Sequence, residues 1–294
     1  MSRRPDATVH YLTPQMSGPL GDILAHYWPH RNGAAIVASG GVWLGTCRLY
    51  DPSYGVAAGT TLKIYCCPNQ GYRYAFSPNF ILHETDDWVV VYKEPLITVG
   101  MDRSNMFFNL MAGLNDFYGF NDMSAGVQPI TRLDYRVGGL CLFSKKKASE
   151  RRLFSQMQQR RIKKRYMAVV PVSDALPVSR CTVKNRLEHR RKAYESPEGK
   201  WAHTRFIYAN TVDHYRRYYA VTKTGRRHQV RFHASQSIGA LVNDELYAKP
   251  YRDRHAPIGL IATHLFFIWK GERIRMALPS HYIDWTIDWL KKGG

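Results

Sequence analysis

The feature that most constrains the fold is the spacing of short apolar runs. From Phe80 onward the chain carries one strand-length segment after another: two runs within Phe80 to Lys93 around the acidic turn Thr85-Asp86-Asp87, then Gly139 to Phe143, Arg165 to Pro171, Thr204 to Tyr208, Arg217 to Val221 and His264 to Ile268. Their β-branched and aromatic residues suit a pleated, half-buried surface. Two stretches of this region read as helices. Ala148 to Arg160 places Leu153, Phe154 and Met157 on one face, and Gln229 to Ser237 follows a glycine turn. Strands and helices that do not alternate strictly imply an α+β fold, with a mixed, mostly antiparallel sheet and flanking helices, rather than a doubly wound parallel sheet.

Ahead of this region, residues 21–67 read as a small α+β unit, with a helical start at Asp22 to Tyr27 followed by two short strands, at Gly40 to Leu44 and at Gly59 to Tyr65 after a turn. The pattern resembles the S-four-type RNA-binding domain. Gly45 stands at the usual Asn-Gly turn, Thr60 replaces the usual Asp, and the ordinarily basic helix carries only His26, His30 and Arg31. Residues 1–20 read as an N-terminal tail, 68–79 as a turn-rich linker, and 80–294 as the main domain.

Charge narrows the partner. The chain has 42 Lys and Arg against 23 Asp and Glu, a formal net charge of +19, which points to a polyanion such as nucleic acid. At 45% hydrophobic residues the chain has enough apolar surface to build a core, so the charge does not signal disorder. The longest apolar stretch, Gly259 to Trp269, is interrupted by His264 and too short to span a bilayer, so no membrane partner is expected. The N-terminal residues lack the apolar core of a secretory signal, which makes the cytoplasm the expected compartment. The five cysteines form no C-x-x-C pair and are expected to be reduced thiols rather than disulfides or zinc ligands. From Lys145 to Lys192 basic residues dominate, which implies a surface that tracks phosphates.

Three separated segments carry the candidate chemistry. The first is Arg132-Leu133-Asp134-Tyr135-Arg136, a carboxylate between two cations ahead of a buried strand, where the cations are expected to keep it ionised. The second is Lys163-Lys164-Arg165-Tyr166, a basic approach to a tyrosine that can stack on a base or relay a proton. The third, Thr224 to His233, is a glycine turn opening a helix dense in donors, an arrangement that favours phosphate.

In this order the segments resemble the RluA-type pseudouridine synthases. The family pattern H-R-L-D-x-x-T-S-G-L aligns with Thr131 to Leu140, K-x-Y-x-A-x-V with Lys164 to Val170, T-G-R-T-H-Q-I-R-V-H with Thr224 to His233, and P-I-x-G-D-x-x-Y with Ala240 to Tyr247. The hairpin Ile81 to Lys93 fits the family's opening strands, so the resemblance runs from about Phe80 to Pro279. It implies a catalytic group made of Asp134 as the essential aspartate, Tyr166 beneath the target base and Arg231 paired with the aspartate. Arg132 would fill the gap left by a flipped nucleotide, with Lys163, Lys164, Arg226, His228 and Gln229 as further RNA contacts. The implied reaction isomerises uridine to pseudouridine in a structured RNA, without metal or cofactor, in a protein expected to act as a monomer. Ribosomal RNA is favoured over transfer RNA.

Departures from the pattern are Thr131 for His, Val137-Gly138 for Thr-Ser, Arg227 for Thr, Asn243 for Gly and Glu94 for Pro. None replaces Asp134, Tyr166 or Arg231, so activity is expected to survive. A non-catalytic RNA-binding or ribosome-assembly factor is the competing class, and it would show a degraded trio. A metal-dependent nuclease would need clustered carboxylates, which the sequence lacks.

Overall fold

The computed structural model describes residues 7–122, 124–248 and 256–292. The first six residues of the N-terminal tail lie outside them. The chain divides into two compact units, Met1–Pro78 with Ile97–Pro129, and Asn79–Leu96 with Ile130–Gly294.

In the first unit a four-stranded antiparallel sheet runs in the order Thr8–Leu12, Leu62–Cys66, Val42–Leu44, Cys47–Leu49. Helices Leu20–Tyr27 and Gly33–Ala38 back one face. Leu20, Ile23 and Leu24, at helical spacing, and Ile36 and Val37 close over Val42, Leu49, Leu62 and Ile64. The strand Thr8–Leu12 falls inside the stretch read as a tail. Ile97–Pro129, which the sequence reading ran into the catalytic domain, is drawn into this unit by hydrogen bonds. Met106 N donates to the Ser39 carbonyl, and the Asn105 side-chain amide donates to the carbonyls of Asn69 and Tyr72.

The second unit is built on a sheet in the order Ala193–Glu195, Arg180–His189, Lys200–Val212, Tyr215–Thr222, Lys163–Pro171, Leu260–Trp269, Gly138–Ser144, Trp88–Lys93, Ile81–Glu84, with Glu272–Ala277 added on Leu260–Trp269. Gly138–Ser144 runs parallel to Leu260–Trp269, and the other pairings along this path are antiparallel. This is the α+β architecture with a mostly antiparallel sheet. Trp88–Lys93 and Gly138–Ser144 are buried at every residue, which explains their continuous apolar runs. Helix Lys147–Gln158 and the C-terminal helix Ser280–Lys292 contribute Leu153 and Ile287 to one core around Trp88, Leu142 and Phe267. Helix Gln229–Ser235 covers a second core, where Val230 and Ala234 meet Tyr166, Ala168, Phe206 and Ala220.

No helix among the described residues is long and apolar enough to cross a membrane. Cys47, Cys66, Cys67, Cys141 and Cys181 are free thiols.

The parallel junction depends on Gly139. Its φ of 123° lies in the left-handed half of the map, and a Cβ there would overlap the backbone of Ala262 on the paired strand. Gly139→Ala should therefore destabilise the protein by about 3 kcal/mol or more, overpacking and backbone strain acting together. Gly225→Ala, with open space around its Cβ, should leave stability unchanged. Urea midpoints of the two variants test this, and equal midpoints would contradict it.

Candidate active site

Asp134 lies in the turn that leads into Gly138–Ser144, where Val137 N donates to its carbonyl at 3.1 Å. The turn is tethered from below. Thr131, fully buried, accepts the Leu142 N–H at 3.0 Å. Leu96 N donates to the Tyr135 carbonyl at 2.8 Å. The buried Lys93 ammonium donates to the Glu94 carbonyl at 2.8 Å and the Tyr135 carbonyl at 3.3 Å. Burial pulls the Lys93 pKa down to about 7, with partial compensation from Cys141, Asp134 and Glu94.

Across from this turn, helix Gln229–Ser235 supplies Arg231, whose side chain is 6% exposed. Its Nε and Nη2 donate to the two oxygens of Asp244 at 2.8 and 2.7 Å, a bidentate pair on a carboxylate with no exposure. The remaining arm, Nη1, donates to Asp134 Oδ2 at 3.2 Å. Burial would raise the Asp134 pKa, but the cations, Arg231 foremost and then Arg227, outweigh it and hold the carboxyl below its ordinary value. The carboxylate is therefore ionised, and 30% of its side chain remains open. The leading cation is Arg231 rather than the sequence neighbours. Arg132 is exposed, and Arg136 is buried with its Nε donating to the Ala256 carbonyl at 2.7 Å.

His228 caps this helix in a left-handed conformation with φ of 55°. Its Nε2 stands 3.7 Å from Asp134 Oδ2, yet burial lowers its pKa to about 4, so the ring is neutral near physiological pH and the contact is no ion pair there. The edge of His189 packs on it with ring centroids 4.8 Å apart. Tyr247 completes the cluster. Its hydroxyl accepts the Ala193 N–H at 2.7 Å, and its ring lies 5.5 Å from the Arg231 guanidinium.

The other expected residues divide between the site and the fold. Tyr166 sits on Lys163–Pro171, 9% exposed, between Ala220 and Ala262 of the neighbouring strands. Lys163 and Arg132 are exposed, and Arg226 donates its Nε to the Trp201 carbonyl at 3.1 Å. Lys164 turns inward. Its ammonium donates to the Arg132 carbonyl at 2.8 Å and lies 5.6 Å from the Tyr166 ring centroid.

Gln229, expected at the RNA, spends its amide within the fold. Its Oε1 accepts from Thr224 Oγ1 and Arg226 N, and its Nε2 donates to the His203 carbonyl and Thr204 Oγ1. That leaves no capacity for a base or phosphate. Sequence reasoning did not single out Lys93, Asp244, Tyr247 or Arg227, although Asp244 and Tyr247 stand in the quoted motif that ends at Tyr247. Among the described residues no three His, Cys, Asp or Glu side chains gather as a metal-ligand set.

Residues 87–236 match the family model described as RNA pseudouridylate synthase. The chain is 26% identical over 187 residues to ribosomal large subunit pseudouridine synthase C of Yersinia pestis, covering 62% of this chain and 57% of that protein. It is 29% identical over 186 residues to the dual-specificity RNA pseudouridine synthase RluA of Pasteurella multocida, covering 60% and 80%. The structure of human RNA pseudouridylate synthase domain containing 4 shares the fold, with a TM-score of 0.57 at 18% identity over 72% of this chain and 93% of that one.

Arg231→Ala would leave Asp244 buried without its guanidinium. Breaking a buried ion pair costs roughly 3–5 kcal/mol, so a large drop in the denaturation midpoint is expected. Arg231→Lys should recover only part of it, because an ammonium cannot fork onto Asp244 and still reach Asp134. Wild-type stability in the alanine variant would contradict the arrangement.

Proposed function

The chain belongs to the RNA pseudouridylate synthase family, RluA type, and on that premise we propose that it converts uridine to pseudouridine in a structured RNA with Asp134 as the reacting carboxylate. The observation that carries this reading is the Asp134–Arg231–Asp244 arrangement: one carboxylate ionised and partly open, the other buried and fully occupied in holding the guanidinium. A non-catalytic factor has no need of an open carboxylate held ionised in this way.

The reaction breaks the bond from ribose carbon one to ring nitrogen one and forms a bond from the same carbon to ring carbon five. The proton on carbon five is lost and nitrogen one gains one, so the process is an isomerisation. The target base leaves the stack to reach the site. Asp134 attacks or deprotonates at the sugar, or attacks the ring, and Arg231 stabilises the carboxylate form between steps. Tyr166, flanked by Ala220 and Ala262 on the neighbouring strands, is assigned to lie beneath the base, with its hydroxyl as the group that relays the proton. Arg132, exposed, fills the gap left by the flipped nucleotide, and Lys163 and Arg227, also exposed, take the flanking phosphates.

The relatives' names and the basic composition support large-subunit ribosomal RNA as the substrate, and the proposal takes the enzyme to act as a monomer in the cytoplasm. Residues 21–67 are proposed as an RNA-binding domain that adds affinity, since the catalytic motifs fall outside them.

Mapping pseudouridines across total RNA of a deletion strain and its parent tests the proposal. One or more sites in large-subunit ribosomal RNA should lose modification and regain it on complementation. Identical maps would contradict it.

A further inference from the structure

The four-stranded sheet of the first unit has two unlike faces. Leu12, Leu62, Ile64, Val42 and Leu49 point to the helices and form its core. Alternation sends their neighbours to the opposite face. The register there aligns one residue from each strand: Tyr11 is opposite Lys63, Lys63 opposite Trp43, and Trp43 opposite Arg48. The row therefore reads aromatic, cation, aromatic, cation across all four strands.

The cations lie against the rings. The Lys63 ammonium sits 5.3 Å from the Tyr11 ring centroid and 5.6 Å from that of Tyr65, on the same face. The Arg48 guanidinium lies 4.7 Å from the Trp43 ring. Arg103 stands over Trp43 and Tyr65 and donates to the Tyr65 hydroxyl at 2.7 Å. At the Arg48 end the loop around Asp102 covers the row, through the bond from Arg48 to the Asp102 carbonyl. The opposite end is open: Tyr11 is 67% exposed.

We propose that this face, centred on Tyr11 and Lys63, binds single-stranded RNA by stacking bases on the rings and placing phosphates on the cations. A solvated charged face needs no exposed ring beside its ammonium, as Tyr11 stands beside Lys63, and an apolar protein partner would not be served by a row of cations. Stacking platforms interleaved with positive charge are the physical requirement for a single strand, whose bases are free to present their faces. Tyr11 presents the open ring, and Trp43, two strands away, is half-buried beside Arg48 and Arg103, so the strand enters over Tyr11 with its backbone on Lys63. The choice of RNA rests on the proposed function.

The test uses the full-length protein and a fluorescein-labelled oligouridylate of about ten nucleotides, within the footprint of one such module. Tyr11→Ala should weaken binding by about fivefold or more, and Tyr11→Phe, which keeps the ring, should stay within about twofold of the wild type. Lys63→Ala should flatten the dependence of log affinity on log salt by about 0.7. Ultraviolet cross-linking of the unaltered protein should map to the peptide containing Tyr11, which needs no variant to fold. Unchanged binding by Tyr11→Ala, or polyglutamate displacing the oligonucleotide as well as unlabelled oligouridylate does, would overturn the proposal. These readouts do not depend on turnover. A protein that makes pseudouridine but binds equally well as Tyr11→Ala defeats this surface alone, and one that makes none defeats the proposed function alone.

Discussion

One guanidinium serves two carboxylates in this molecule, and the site follows from that division. Asp244 has no exposure and would be costly to bury as an anion without a partner; the forked pair with Arg231 satisfies it. The fork also fixes the guanidinium plane, which leaves one arm aimed at Asp134. Asp134 thus receives a cation whose position is set by another residue. A lysine at this place would hold one carboxylate or the other, with no plane to divide between them.

Both sides of that contact are braced by the fold. On one side the buried Lys93 and the Leu96 amide converge on the Tyr135 carbonyl, next in sequence to Asp134. On the other, Gln229 ties the first turn of its helix to residues 203 and 204, and His233 is held at both ring nitrogens, by Thr204 at 2.8 Å and Asn185 at 2.9 Å. Burial lowers the His233 pKa to about 4, so this brace is uncharged near physiological pH. Polar residues of the third motif thus do structural work, which is why a helix dense in donors presents few of them outward. Gly139 lets its strand approach Ala262 closely, and alanines flank Tyr166 on both neighbouring strands.

The class of fold was legible because the central strands are buried on both faces and so appear as unbroken apolar runs, Trp88 to Tyr92 and Leu140 to Phe143 being the clearest. Arg180–His189 escaped notice because a strand next to the sheet margin with one solvated face carries its apolar residues singly, here Val183 and Leu187 among Arg, Lys and Glu. The placement of Ile97–Pro129 depends on hydrogen bonds to residues some thirty to seventy positions earlier, which no local pattern encodes. At the site, local pattern marked Asp134 as a carboxylate among cations, but the cations beside it in sequence point elsewhere, and the one that holds it lies 97 positions away. Residue type could place Gln229 near phosphate; only its four partners show that its amide is already spent.

The central claim is that the Asp134 carboxylate, and not merely the shape of the pocket, performs the isomerisation. Asp134→Asn keeps the side-chain volume and removes the charge. Measured on the RNA that carries the mapped site, with single-turnover pseudouridine formation and RNA affinity determined side by side, this variant should bind as the wild type does and form no detectable pseudouridine. Substantial turnover by the asparagine variant would contradict the account.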